Sequence, residues 1–295
     1  MTSLHPVADT PTSDTARSTG VLRRALRTRR MKIGLALTGI VLFIALAGPF
    51  LAPHAPVAFV DMAYAPPSDI AWLGTDYVGR DVLSRVLNGG RGILVMSVLG
   101  VSLAMLLGAT VGMVAAYSKP WVDSLLMRAM DVIFSIPNTV LILLILTLMG
   151  TSIPLLVVLV GLVWMPSVSR ITRGSALQIV RKEFVEAAEV IGISRPRILL
   201  GEVLPNIATP LLVEFGLRLT LAISLIAGIS FLGFGAPPPT PDWGMMISEN
   251  RGGLSIQPWG TIAPIFCIAL FAIGTNMMTE ALSRAIAGTE ARAVR

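Results

Sequence analysis

Six long apolar stretches dominate this chain, and the first, Ile33–Ala52, holds no charged residue at all. At about 1.5 Å of rise per residue, a helix of that length is roughly 30 Å long, the thickness of a bilayer's hydrocarbon core. Further stretches of this kind lie at about residues 93–117, 124–149, 152–169, 207–232 and 259–281. In lipid, backbone polar groups must be satisfied internally, so spanning segments are helices or closed barrels. Runs this long point to helices. The expectation is an all-α integral membrane protein with six transmembrane helices. Composition agrees: 54% of the 295 residues are hydrophobic and 14% charged, against about a quarter charged in soluble domains.

The formal charge of +6 could suit nucleic acid. The basic residues, however, form no stripe with interleaved aromatics, so no nucleic-acid partner is expected. They sit beside the apolar runs, where they set orientation. With the N-terminus in the cytoplasm, 18 of the 23 Lys and Arg face the cytoplasm and 4 (Arg80, Arg85, Arg91 and Arg251) face outside, Arg218 lying within a span. Both termini are therefore expected on the cytoplasmic side. Residues 1–20, rich in Thr, Ser, Asp and Pro, read as a disordered tail. The long leader and the lack of a small-residue cleavage site before Pro53 make the first apolar run a retained span. The single cysteine, Cys267, excludes an internal disulfide, and His5 and His54 lie far apart, so no metal site is expected. Gly100, Gly108 and Gly112 allow close helix approach.

One short charged segment interrupts the hydrophobic series between the fourth and fifth spans, at "EFVEAAEVIGISRPRILLGEVLPN" (Glu183–Asn206). On a helix, Phe184, Ala187, Ala188 and Ile191 fall at i, i+3, i+4 and i+7 and form one apolar face, with Lys182, Glu186 and Glu189 on another. Nine or ten residues cannot cross a bilayer. Gly192 is a helix stop, and Ser194 can cap a second short helix with Pro196 near its start. An amphipathic helix resting on lipid is the plain alternative. Such helices are basic on their polar face, whereas Glu183, Glu186 and Glu189 are acidic, which favours a protein partner.

The segment resembles the EAA loop of permeases in ATP-binding-cassette importers. Glu186, Ala187 and Ala188, then Gly192, then Leu204 and Pro205 stand at that pattern's spacing, with Glu202 where the pattern has Ile. "GTDYVGRDVLSRVLNGGR" (Gly74–Arg91) and "FLGFGAPPPTPDWGMMISENR" (Phe231–Arg251) resemble the second permease of the dipeptide, oligopeptide and nickel group, and "AYSKPWVD" is a looser match. The resemblance covers about residues 30–285. It implies a type I importer permease fold in a bacterial cell membrane. It also implies a paralogous permease as heterodimer partner, two ATPase subunits or one fused ATPase, and an extracytoplasmic substrate-binding protein. This chain would then bind no cofactor, with ATP and magnesium on the ATPases. ATPase coupling would fall to Glu183, Phe184, Glu186, Ala187, Ala188, Ile191, Gly192, Leu204 and Pro205. Docking of the binding protein would fall to Pro239, Asp242, Trp243, Glu249 and Arg251. Gly74–Arg91 reads as a docking element or as a helix packed beside the second span.

The implied organisation is a basic tail (1–32), a first span with its outside loop (33–91), a permease domain (92–284) and a short cytoplasmic tail (285–295). The chain has no G-x-x-x-x-G-K-[ST] loop, so ATP-driven transport would need an ATPase on another chain. Two other functions compete. A proton-coupled secondary transporter needs ionisable groups near the midplane. Asp131, Glu214, Arg218 and Glu280 instead fall near inner span ends, and Glu214 with Arg218 can simply pair at i,i+4. A membrane enzyme needs a catalytic constellation that the sequence does not offer. Asn138, Thr275 and Asn276 could line a path or bond neighbouring helices. Among substrates, peptide leads, with nickel chelate and glutathione as alternatives.

Overall fold

The computed structural model describes residues 24–237 and 239–293. The tail 1–20 and His5 lie outside the described residues. The first span is α1 (Arg29–Leu51), opened by the Thr28 hydroxyl accepting from the Met31 N–H. The second is α2 (Val82–Tyr117), 36 residues long and capped by the Asp81 carboxylate. It starts eleven residues before the apolar run does. The second half of Gly74–Arg91 is thus the first turns of the second span itself, not a separate helix beside it. Arg85 in those turns is sheltered by the fold, so hydropathy alone hides the early start.

The third apolar run is broken. The helices α3 (Pro120–Phe134) and α4 (Asn138–Met149) meet at an angle of 75°. Pro137 lacks the N–H that would continue α3, and it disfavours helical geometry at Ile136. The fourth, α5 (Ile153–Val180), runs well past the expected boundary at 169. Two short helices follow, α6 (Glu183–Val190) and α7 (Arg195–Ile198), and then a wide π turn (Leu199–Val203) leading into α8 (Leu204–Ile229). After a second π turn (Ser230–Phe234) come α9 (Trp243–Asn250) and the last span, α10 (Trp259–Ala293). Among the described residues, five helices are long and apolar enough to span a membrane, six counting the bent pair. Among the described residues the only β pairing is two isolated bridges, Phe59–Arg80 and Thr75–Asp81.

The central pair is α2 against α5. A Cβ placed on Gly100, Gly108 or Gly112 would lie 2.5–2.6 Å from Val160, Val168 and Ser169 of α5. Only hydrogen fits there, and the two backbones close to a distance that larger residues forbid. One apolar core runs through the bundle, with Ile93, Met96, Val160, Ile223, Ile226 and Phe271 among its buried members. A second, smaller core sits at the end of the bundle where α5 leaves the apolar run. It joins Met113 and Ala116 of α2, Ala176 and Ile179 of α5, and Ile207 of α8 to the short helices.

Candidate functional site

Helix α6 is stopped by a complete left-handed cap. Gly192 takes φ = +87°, its N–H donates to Glu189 O at 3.0 Å, and the Ile193 N–H donates to Ala188 O at 3.0 Å. This is the two-bond Schellman arrangement, which a residue with a Cβ adopts only under strain. Ser194 holds the N-cap position of α7, but its side chain makes no capping bond. Two acidic residues, Glu183 and Glu186, stand in the first turn of α6, where they complement the helix dipole.

The orientation of α6 corrects one assignment. Val185 is 1% exposed and Ala188 7%, and both pack into the smaller core with Ile198, Val203 and Ile207. Ala188 therefore faces its own bundle, not outward beside Ala187. It joins a core that also holds residues from the ends of α2, α5 and α8, which sequence periodicity around one helix cannot reveal. The outward apolar strip is Phe184, Ala187, Val190 and Ile191, with Val190 at 88% and Ile191 at 79% exposure. Val190 was missed because it lies one step off the i, i+3, i+4, i+7 pattern. Glu183 and Glu186 are exposed and form no ion pair among the described residues. Glu189 instead turns back and accepts a hydrogen bond from the Tyr117 hydroxyl at the end of α2, and the Arg195 guanidinium lies 5.7 Å from the centre of the same ring.

Leu204 is half-buried against the smaller core, and Pro205 opens α8. Pro205 has no N–H to donate into the preceding turn, and the wide π turn just ahead of it accommodates that loss. Glu202 sits within this turn, where its carbonyl accepts from the Asn206 amide at 2.6 Å.

At the other end of the bundle, the loop 53–81, the start of α2 and α9 form one cap. Trp243 is fully buried, and its indole N–H donates to Val86 O at 2.9 Å. Asp242 is also buried, accepting from the Gly244 and Met245 N–H groups at 2.9 and 3.1 Å. Burial pushes its carboxyl above the ordinary range despite those bonds. These two residues hold α9 in place and present no surface, which corrects the reading of an entire outward-facing strip. Pro239 and Arg251 are exposed, and Arg251 lies 5.6 Å from the Phe231 ring centre.

Glu249 belongs to a charge cluster inside the cap. Arg85 Nη1 lies 2.5 Å from Asp76 Oδ2 and 2.8 Å from Glu249 Oε2. Arg80 reaches the same two acids at 2.7 and 3.5 Å. Burial alone pushes Asp76 up, but the Arg80 and Val78 N–H bonds and the Arg85 and Arg80 charges together hold its carboxyl below the usual range. Two arginines and two carboxylates are thus neutralised in place. Arg80 and Arg85 had entered the sequence reading only as part of the charge count, because their shared partner Glu249 lies far along the chain, 164 residues from Arg85.

Between α5, α8 and α10 lies a cavity of about 580 Å³ on the α6 side of the bundle, lined in part by Ser175, Gln178, Asn206, Glu214 and Ser283. Several charged residues of the spans are paired. Glu214 binds Arg218, as their spacing suggested, and the Arg218 guanidinium lies over Trp164 at 4.8 Å. Asp131 pairs with Arg170 at 2.5 Å, and Glu280 with Arg30 and Arg284 at 2.5 and 2.6 Å. Thr275 bonds the Thr220 hydroxyl at 2.7 Å, which makes it a link between α8 and α10. Asn276 is exposed and Asn138 half-buried.

Residues 108–288 match the family described as "Binding-protein-dependent transport system inner membrane component". The chain is 34% identical over 220 residues to the glutathione transport system permease protein GsiD of Pectobacterium atrosepticum, covering 75% of this chain and 73% of that one. It is 33% identical over 220 residues to the dipeptide transport system permease protein DppC of Alkalihalophilus pseudofirmus, covering 75% and 72%. Against the glutathione permease of Shigella dysenteriae the identity is 33% over 266 residues, 89% of this chain and 88% of the relative.

Proposed function

Because the chain belongs to the family of binding-protein-dependent transport system inner membrane components, and is a multi-pass permease subunit of an ATP-binding-cassette transporter, we propose that it forms half of an import path for short peptides. The two kinds of relative named above carry a dipeptide and glutathione, itself a tripeptide, which supports peptide over nickel chelate. The other half of the path is a paralogous, non-identical permease. Two ATPases, or one fused ATPase, dock below, and an extracytoplasmic binding protein delivers the cargo. ATP and magnesium belong to the ATPases, and this chain is not catalytic. Both termini are cytoplasmic, so α6 faces the cytoplasm and the 53–81 cap faces outside.

The observation that carries this reading is the two-sided character of α6. Its inner face is fixed to α2, α5 and α8 through Val185 and Ala188, while its outer strip of Phe184, Ala187, Val190 and Ile191 is exposed. An ATPase groove that takes the outer strip moves the inner face with it. Glu183 and Glu186 then offer charge-assisted bonds to basic residues at the groove's rim. Motion passes into the spans because a packed core shifts as a unit rather than deforming. Binding protein and cargo act through their different affinities for the two states of the path. On the outer side, Pro239 and Arg251 are the exposed ones among the five docking candidates Pro239, Asp242, Trp243, Glu249 and Arg251.

Reconstitution tests this directly. The complete transporter in sealed vesicles should take up labelled dipeptide with ATP present and without a proton gradient. Uptake that follows the gradient and ignores ATP would establish a secondary transporter instead. The pairing of Asp131, Glu214, Arg218 and Glu280 argues against that second outcome.

A further inference from the structure

Two apolar side chains, Val185 and Ala188, seat α6 in the smaller core. Apolar contact has no direction, so it fixes how deep a short helix sits more firmly than how it is turned. A polar contact close by does have direction. Glu189, in the last turn of α6, accepts a hydrogen bond from the Tyr117 hydroxyl. Arg195, the first residue of α7, sets its guanidinium 5.7 Å from the centre of the Tyr117 ring. These two residues flank the left-handed turn at Gly192, and both reach the same side chain. Tyr117 is the last residue of α2. Three helices therefore meet at one phenol.

Packing around the phenol is incomplete. Met113, Tyr117, Arg195, Pro196, Leu199 and Leu200 line part of a cavity of about 370 Å³ between the end of α2 and the start of α7 with its π turn. Where close packing is missing, a hydrogen bond, which constrains both distance and angle, fixes one element on the other. Beyond Tyr117 the chain turns through Ser118 and Lys119 into α3. In the other direction α2 lies closely against α5 at Gly100, Gly108 and Gly112, so a shift of its end is carried along both helices. We infer that Tyr117 is a positioning residue for transport: held by Glu189 and Arg195, it passes the displacement of α6 into α2. This inference rests on the reading that α6 takes up the ATPase. The role of Tyr117 lies within the chain and needs no contact with the ATPase or the cargo.

The test uses the complete transporter in sealed vesicles and measures labelled dipeptide taken up per ATP hydrolysed. Tyr117→Phe removes the hydroxyl and keeps the ring. A hydrogen bond to a charged group biases an equilibrium by about tenfold or more, and by less where, as here, its acceptor is exposed, so uptake per ATP should fall about three- to fivefold. Glu189→Ala should show the same fall, and the double variant should fall no further, because both changes remove one contact. Glu189→Gln keeps a carbonyl that accepts from the hydroxyl and should lie between Glu189→Ala and the native protein. The ATPase should co-purify with every variant as it does with the native chain. Should Glu189→Ala fail to assemble, Tyr117→Phe alone must still show the fall. Native uptake per ATP in Tyr117→Phe would overturn the inference, as would losses that multiply in the double variant. Loss of the ATPase from Tyr117→Phe would also overturn it, by placing the phenol in the ATPase interface. Failure of the underlying reading would show elsewhere, in the native transporter, as uptake that does not need ATP.

Discussion

Replacing Arg85 with Gln should loosen the outer cap and cost about 3 kcal/mol. Arg85 is 2% exposed, and one of its nitrogens bridges Asp76, itself fully buried, and Glu249. Removing one partner of a buried ion pair costs about 3–5 kcal/mol, because the remaining charge stays buried without an answer. Arg80 still reaches both acids, at 2.7 and 3.5 Å, which places the effect at the lower end. For a chain of this size, about 3 kcal/mol corresponds to a fall in Tm of roughly 6–12 °C. Cys267 supplies the assay. It is the chain's single cysteine and is buried, so a thiol-reactive dye reports unfolding of the purified chain in detergent. Arg80→Gln is the comparison. Its side chain is more exposed than that of Arg85, so its loss should be clearly smaller. If Arg85→Gln melted with the native protein, or Arg80→Gln melted lower than Arg85→Gln, the cap would not rest on the buried bridge.

The Asp76 carboxyl is held below its ordinary value in the folded state, so its contribution is present above the unfolded pKa and lost as pH falls through the lowered folded one. The Tm gap between native protein and Asp76→Asn should therefore be equal at pH 7 and pH 5 and shrink only below about pH 4. Ala188→Leu should overpack the smaller core and cost about 1–3 kcal/mol in the dye assay, whereas Ala187→Leu should leave stability within about 0.5 kcal/mol and weaken ATPase association instead. Reporter fusions after Gly79 and after Arg284 should score outside and inside respectively; the reverse pair would refute the orientation.

Span positions were legible because hydrophobic length is a property of the sequence itself. The Glu214–Arg218 pair was legible too, since i,i+4 neighbours meet on any helix. The stop at Gly192 followed from the one residue type that takes a positive φ without strain. What escaped depended on distant partners. The early start of α2 is invisible in hydropathy because Arg85 is sheltered by Asp76 and Glu249. Trp243 looked like an outward contact until Val86 and the small Gly89 and Gly90 of α2 closed around it. The break at Pro137 was visible as a proline, but its 75° angle was not, since prolines inside α1, α5, α8 and α10 leave those helices continuous. On α6, periodicity identified an apolar side without saying which part of it the chain would keep for itself.

The central claim is that α6 offers its outer strip to an ATPase while its inner face stays with the bundle. Site-specific crosslinking measures this most directly. In a Cys267→Ser background, Ile191→Cys and Val185→Cys variants would each be assembled with an ATPase carrying cysteines scanned across its surface. Ile191→Cys should crosslink to the ATPase with a yield that changes with nucleotide, and Val185→Cys should not crosslink at all. A crosslink from Val185→Cys but none from Ile191→Cys would contradict the orientation of α6. No crosslink from Ile191→Cys anywhere on the ATPase, with uptake intact, would contradict the coupling role itself.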